Sequence, residues 1–211
     1  NEACMNFTFG ITTTYKNMDQ LTEVFKSIEA LNIPNYEILC IGGIKHEDTD
    51  TVKYIYFDES EKEGWITRKK NSLVQSAKYE NVVLMHDYYV FDKDWYTNFL
   101  KFGNDWDVAS CQQLLINGKR HFTDWVIWDS PFFPQYASLP YDDWSQTLCM
   151  YQSGGFMIVK KELATKIPFN EELVHHQAED VEWSLRMRTQ CKWVCNGKSI
   201  VRHNKVHRDA Q

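Results

Sequence analysis

Hydroxyls, carboxylates and imidazoles recur at the ends of apolar runs in this chain. "MNFTFGITTT" (5–14) closes on Thr12, Thr13 and Thr14, and "VKYIYF" (52–57) is followed by Asp58. "VVLMHDYYVF" (82–91) presents His86 and Asp87 after an apolar start, and "KSIVRH" (198–203) ends on His203. Short apolar runs bounded by polar clusters read as buried strands. In open α/β sheets, ligands bind beyond the carboxyl ends of the strands. Oxygen donors with imidazoles at such an edge suit a polar ligand and a hard divalent ion.

Each group also has a plainer reading. A lone Asp after a strand is commonly a turn or cap residue, but Asp87 follows a buried strand that aims it into the crevice. Arg68-Lys69-Lys70 is either a solvated helix face or a cationic lip for a diphosphate. His203 and His207 flank "NKV"; a strand-end His opposite Asp87 can complete a metal site. His175-His176 reads as a solvated loop. Glu179 and Asp180 open a helix, where they complement its dipole, meet substrate hydroxyls or take a proton.

The elements that must position these groups are legible in outline. Strands are expected at 5–14, 36–41, 52–57, 82–91, 108–116, 154–159 and 198–203. The spacing of Met18, Leu21, Val24, Phe25, Ile28 and Leu31 predicts an amphipathic helix capped by Asn17 or Asp19 and stopped at Pro34. Further helices are expected at 64–79, after Asp92 as a cap, and at 179–190. Alternating strands and helices imply α/β architecture with a mixed, mainly parallel sheet flanked by helices. From His121 to Tyr151 no period survives. That stretch holds Phe122, Trp125, Trp128, Phe132, Phe133, Tyr136, Tyr141, Trp144 and Tyr151, broken by Pro131, Pro134 and Pro140. It reads as an irregular, aromatic-rich region in which some rings cover a sugar face.

Bulk properties narrow the function. The chain has 211 residues, 43% hydrophobic, 25% charged and 15% aromatic, which suits one sizeable soluble domain. A net charge of −6 without a basic stripe argues against nucleic acid as a partner. No apolar run reaches membrane-spanning length, and Asn1-Glu2-Ala3-Cys4 lacks the look of a secretory signal. The scattered cysteines, with Cys191 and Cys195 the nearest pair, read as reduced thiols in a cytoplasmic setting rather than a zinc site.

Taken together, "GITTTYKN" (10–17), "GWITRKKN" (64–71), "VLMHDYYVF" (83–91) and "GGFMIVKKE…FNEEL…AEDVEWSLRMR" (154–188) resemble nucleotide-sugar glycosyltransferases of the GT-A fold, the family-2-like group. "SIVRH" (199–203) is similar to the family's closing strand. A narrower likeness is to small virus-encoded glycosyltransferases of the chlorella-virus kind that build capsid glycans, which would place the chain in host cytoplasm. The resemblance covers nearly the whole chain. It implies one GT-A (Rossmann-like) domain, with a nucleotide-binding half at about 1–118 and an acceptor and catalytic half at about 119–211.

Roles follow from the resemblance residue by residue. Thr12, Thr14 and Asp58 fall where the nucleoside is held, with Asp58 accepting the uracil N3–H, which implies a UDP-sugar. Arg68 and Asn71 fall beside the nucleotide; His86 either packs behind Asp87 or touches the donor. Asp87 matches the last acid of the family's DxD motif, a ligand of Mn²⁺ or Mg²⁺, and His203 the closing-strand His. Gly154 and Gly155 admit the sugar, and Glu179 and Asp180 match the acidic pair near sugar and acceptor. Met85 replaces the first DxD acid and "CIGG" (40–43) replaces an acidic block. The implied reaction is sugar transfer from UDP-glucose or a similar hexose or deoxyhexose donor to a glycan or glycoprotein hydroxyl. The closing-strand His leans it to retention. One rival, a sugar-phosphate nucleotidyltransferase, should carry a Gly-x-Gly-x-Arg loop after the first strand, which "GITTTYKN" lacks. Another, a non-catalytic glycan-binding module, has little use for carboxylates at successive strand ends.

Overall fold

A computed structural model gives the structure over residues 4–131 and 136–205, to which everything below refers. Phe132, Phe133, Pro134 and His207 lie outside those residues. The first half runs β1 (Phe7–Thr12), α1 (Met18–Glu29), β2 (Tyr36–Gly42), β3 (Val52–Tyr56), α2 (Ile66–Ser76), β4 (Asn81–His86), β5 (Tyr89–Phe91), α3 (Trp95–Phe102) and β6 (Val108–Leu114). The second runs β7 (Val126–Ile127), β8 (Ala137–Ser138), a 3₁₀ turn (Thr147–Cys149), β9 (Met150–Tyr151), β10 (Phe156–Lys160), α4 (Lys161–Lys166), α5 (Glu179–Met187) and β11 (Trp193–His203).

Eight strands form one sheet in the order β3-β2-β1-β4-β10-β6-β11-β5. The β3-β2-β1-β4 block is parallel, as is β6 with β11, whereas β10 runs antiparallel to β4 and β6. The sheet is thus mixed and mainly parallel, as expected, and strands from both halves of the chain share it.

The period-2 side-chain alternation of β1 explains how the two faces differ. Phe7, Phe9 and Ile11 join one core with Leu21, Val24 and Ile28 of α1 and Trp95 and Phe99 of α3. On the other face Gly10 leaves room for α2: a Cβ there would stand 3.2 Å from Leu73 Cδ1. Leu73, Leu163, Trp183 and Met187 build the second core beneath α2, α4 and α5. Asn17 caps α1, its Oδ1 accepting from Gln20 N–H at 3.0 Å.

Several expectations are corrected. Residues 82–91 are not one strand. The chain turns at Asp87-Tyr88, and β5 pairs antiparallel with β11 at the far edge. Continuous apolarity hid that reversal, because Tyr89 and Phe91 of β5 are buried like β4 but in another part of a curled sheet. Phe91 still reaches Phe9 of β1, ring centroids 5.2 Å apart. Asp92 does not cap α3 with its side chain; the carboxylate takes two bonds from Arg202, at 2.7 and 3.1 Å. The last strand starts earlier than expected, at Trp193, and absorbs an irregularity between Asn196 and Ile200. Helix α4 had no sequence signal, being only 6 residues long.

The irregular region contains a small antiparallel sheet, β8-β7-β9. It is pinned by buried Asp124, which accepts from Arg120 Nε at 2.9 Å, the Tyr141 hydroxyl at 2.6 Å and Gln113 N–H at 3.0 Å. Burial pushes the Asp124 carboxyl up, and these donors pull it back. Among the described residues no helix is long and apolar enough to cross a membrane.

Trp95 is fully buried, with ring centroids 4.7 Å from Phe99, 4.9 Å from Phe91 and 5.1 Å from Phe7. Trp95→Ala should therefore cost about 3–5 kcal/mol, read as a lowered denaturant midpoint with an unchanged slope.

Candidate functional site

The parallel register places Thr12 beside both Ile41 and His86, so the carboxyl ends of β1, β2 and β4 share one edge. A cleft opens there. One part, of about 350 Å³, is lined by Thr12, Thr13, Thr14, Lys69, Asp87 and Lys205, among others. An adjoining part, of about 270 Å³, is lined by His121, Phe122, Gly154, Gly155, Glu179 and Asp180, among others. His86, Tyr88 and His175 border both, so the two are neighbouring parts of one cleft.

Asp87 stands at the β4 tip, half-buried. Its Oδ2 accepts from the Thr13 hydroxyl at 2.7 Å, and its Oδ1 from Gln20 Nε2 at 3.3 Å. Gln20 also donates to the Asp87 carbonyl at 3.2 Å. Donors on both oxygens fix the direction of the carboxylate. His86 Nδ1 lies 3.1 Å from Thr12 Oγ1, and its ring stacks on Tyr88 at 5.5 Å. Lys205 Nζ covers the Tyr88 ring at 4.0 Å. Thr14 is exposed on the rim.

At the other end, Asp180 Oδ2 accepts from Gly154 N–H at 3.0 Å, and Oδ1 from Val181 N–H at 2.9 Å. Glu179 is buried beside it. The glycine pair makes room for protein groups. A Cβ on Gly154 would meet Lys70 Nζ at 3.0 Å, and one on Gly155 the Tyr89 hydroxyl at 2.9 Å. The chain reaches α5 through a loop with His176 at φ 68° and Ala178 at φ 55°, both left-handed and unusual without glycine. That loop carries His175 into the cleft, in place of the solvated position expected from the sequence. Burial, with His176 alongside, holds the His175 ring below its usual range.

Other assigned residues lie elsewhere. Asp58 is exposed, absent from the cleft lining, and its Oδ1 accepts from Ser60 N–H at 2.9 Å and Oγ at 2.6 Å. Those bonds hold its carboxyl below the usual value. Arg68 lies over the Trp65 ring at 4.7 Å, away from the cleft lining. Asn71 is buried and clamps a loop, donating to Phe169 C=O and accepting from Phe169 N–H, each at 2.9 Å. His203 is 3% exposed, its ring 4.6 Å from Tyr89 and 5.1 Å from His121, and it does not line the cleft. Thr13 belongs to the strand-end triplet "TTT" and Lys70 to the cationic run Arg68-Lys69-Lys70, whereas Gln20 carries no local signal.

Among the described residues no group of three or more His, Cys, Asp or Glu side chains is poised around a common metal position. The cleft offers the Asp87 carboxylate. That suits a hard ion taking its remaining ligands from a diphosphate and water, the usual pattern for Mg²⁺-type sites. Of the rings, Phe122 is 55% exposed and lies parallel to His121, whereas Trp125 is fully buried and belongs to the core.

No family model matches the sequence, and no curated protein sequence matches it. Solved structures do share its fold. TarS from S. aureus superposes with a TM-score of 0.65 at 15% identity, over 95% of this chain and 37% of that one. TarS 1–349 in complex with UDP-GlcNAc gives 0.66 at 15%, over 96% and 60%. GalNAc-T7 with UDP, GalNAc and Mn²⁺ gives 0.67 at 14%, over 96% and 44%. The chain thus spans between 37% and 60% of the length of these proteins. The fold is that of GT-A glycosyltransferases.

Asn71→Ala separates a loop clamp from a nucleotide ligand. Leaving the Phe169 groups unpaired should cost about 1–3 kcal/mol of stability. Nucleotide affinity, measured by calorimetry, should stay essentially unchanged.

Proposed function

We propose that the protein is a metal-dependent glycosyltransferase. It would move a sugar from a UDP-sugar, UDP-glucose or a similar hexose or deoxyhexose, to a hydroxyl of a glycan or glycoprotein. The observation that carries this reading is that Asp87 and Asp180 line adjoining parts of one cleft at the carboxyl edge of the sheet. UDP-bound structures of the same fold support the choice of nucleotide.

Asp87, oriented by Thr13 and Gln20, would hold Mn²⁺ or Mg²⁺, which when bound neutralises charge on the leaving diphosphate. His203 remains a candidate second ligand on the resemblance alone, as does Asp58 for the uracil N3–H. Lys205 adds positive charge to the donor end of the cleft, where Lys69 is paired with Glu59. Thr12 fixes the His86 ring, and His86 and Tyr88 form a wall between the two ends.

Both oxygens of Asp180 already accept backbone N–H groups. That suits a carboxylate that orients a sugar hydroxyl, with Glu179 behind it. The retaining course is proposed on the closing-strand His of the resemblance; the acidic pair suits either course. The bond from the anomeric carbon to the β-phosphate oxygen breaks, and a bond to the acceptor oxygen forms on the same face. The acceptor proton passes to the leaving phosphate oxygen. The exposed Phe122 ring offers a platform for the acceptor sugar. A cytoplasmic setting accords with the free thiols, of which Cys191 is pushed up to about 12 by burial. The narrower likeness to capsid-glycan enzymes of viruses draws no support from the structures compared.

UDP should raise the melting temperature more in Mn²⁺ than in EDTA, and more than GDP or CMP does. No metal-dependent shift with any nucleotide would sink the donor reading. Asp87→Ala should abolish UDP-sugar hydrolysis while the apoprotein still folds, as read by circular dichroism. Full activity in that variant would remove the metal role. NMR of the product anomer tests retention.

A further inference from the structure

Lys70 has no part in the steps above, yet it is the most deeply buried charge near them, at 2% exposure and lining neither part of the cleft. A buried ammonium is costly unless it is hydrogen-bonded and offset by opposite charge. Its Nζ donates to Gly154 C=O at 2.9 Å and lies 5.3 Å from the Phe169 ring centre. Burial pulls its pKa down, and Glu179 and Asp180 push it back up. His175, on the loop before α5, is the other titratable group whose charge couples to it.

The geometry converges on one glycine. Lys70 Nζ and Glu179 Oε1 lie 3.0 and 3.4 Å from the point where a Gly154 Cβ would sit, and Asp180 Cβ 3.3 Å from it. Lys70 holds the Gly154 carbonyl while Asp180 holds the Gly154 N–H. The residue is therefore gripped at both polar atoms, by α2 on one side and α5 on the other.

We propose that Lys70 is a positioning residue for Asp180. Through the Gly154 carbonyl and its charge opposite Glu179, it fixes the Gly154 N–H, and so the Asp180 carboxylate, in the cleft. The proposal rests on the reading of Asp180 as the sugar-facing carboxylate.

Lys70→Met keeps an unbranched side chain, one atom shorter, and removes the charge; Lys70→Arg keeps the charge. Amide hydrogen exchange of Gly154, read by NMR, reports the grip without requiring activity. In Lys70→Met it should accelerate roughly tenfold, the worth of about one hydrogen bond, while β1 amides exchange as before. In the same variant kcat for UDP-sugar hydrolysis should fall by roughly 10²-fold with KM little changed, the signature of misplacement. Lys70→Arg should preserve both. If Lys70→Met does not fold, Lys70→Gln is read in the same way. Unchanged Gly154 exchange in the folded neutral variant overturns the proposal, whatever the activity. A wild-type protein that consumes no UDP-sugar removes the enzyme reading, and the exchange result still decides whether Lys70 positions Asp180.

Discussion

The antiparallel pairing of β10 with β4 sets Gly155 beside His86 at the tip of β4, with Gly154 next to it, and the cleft depends on that approach. His86 N–H bonds to Gly155 C=O at 3.0 Å, so the corner before β10 holds the end of β4. From that point the two ends of the cleft diverge. Asp87 turns toward Thr13 and Gln20, and Asp180 meets the glycine pair from the opposite side. A side chain on either glycine would collide with groups that line or support the cleft. Backbone proximity, not a ring of acids, is what organises the site.

Much of the first half was legible because it obeys simple periods. Phe7, Phe9 and Ile11 alternate along β1, and Leu21, Val24 and Ile28 mark the helical stripe of α1. The carboxyl edge could be read because polar residues end the strands that reach it. The rest depends on contacts between distant residues. Nothing near Asp92 announces Arg202, and nothing near Asn71 announces Phe169. Lys70 looked like one member of a surface cationic run, since a helix face alone does not show which lysine points inward. Only tertiary packing distinguishes it from Arg68, whose side chain is 48% exposed.

The high aromatic content divides into distinct populations. Phe7, Phe9, Phe91, Trp95 and Phe99 interlock, mostly edge to face or tilted, and join α3 to β1 and β5. Such pairs contribute beyond their buried area. Tyr88 and Phe122, by contrast, border the cleft; Tyr88 is packed between His86, Tyr89 and Lys205, and Phe122 is the exposed ring. Aromatic residues in the irregular stretch are therefore not uniformly platforms: Trp125 packs inward against Trp193, ring centroids 5.4 Å apart, and Trp144 donates to the Tyr141 carbonyl at 2.9 Å.

The pairing of β5 with β11 bears on how the chain acquires its shape. The neighbouring Asp92–Arg202 pair joins residues 110 positions apart in sequence. During synthesis, β5 and its aromatic neighbours emerge long before the strand that completes their edge. Pairings of such high sequence separation form late and slowly. Until then the nascent chain presents an unpaired apolar edge beside the Phe91–Trp95 cluster, the kind of surface that invites chaperones or premature association. The same residues that give the finished sheet its curl thus set the interval in which it is most vulnerable.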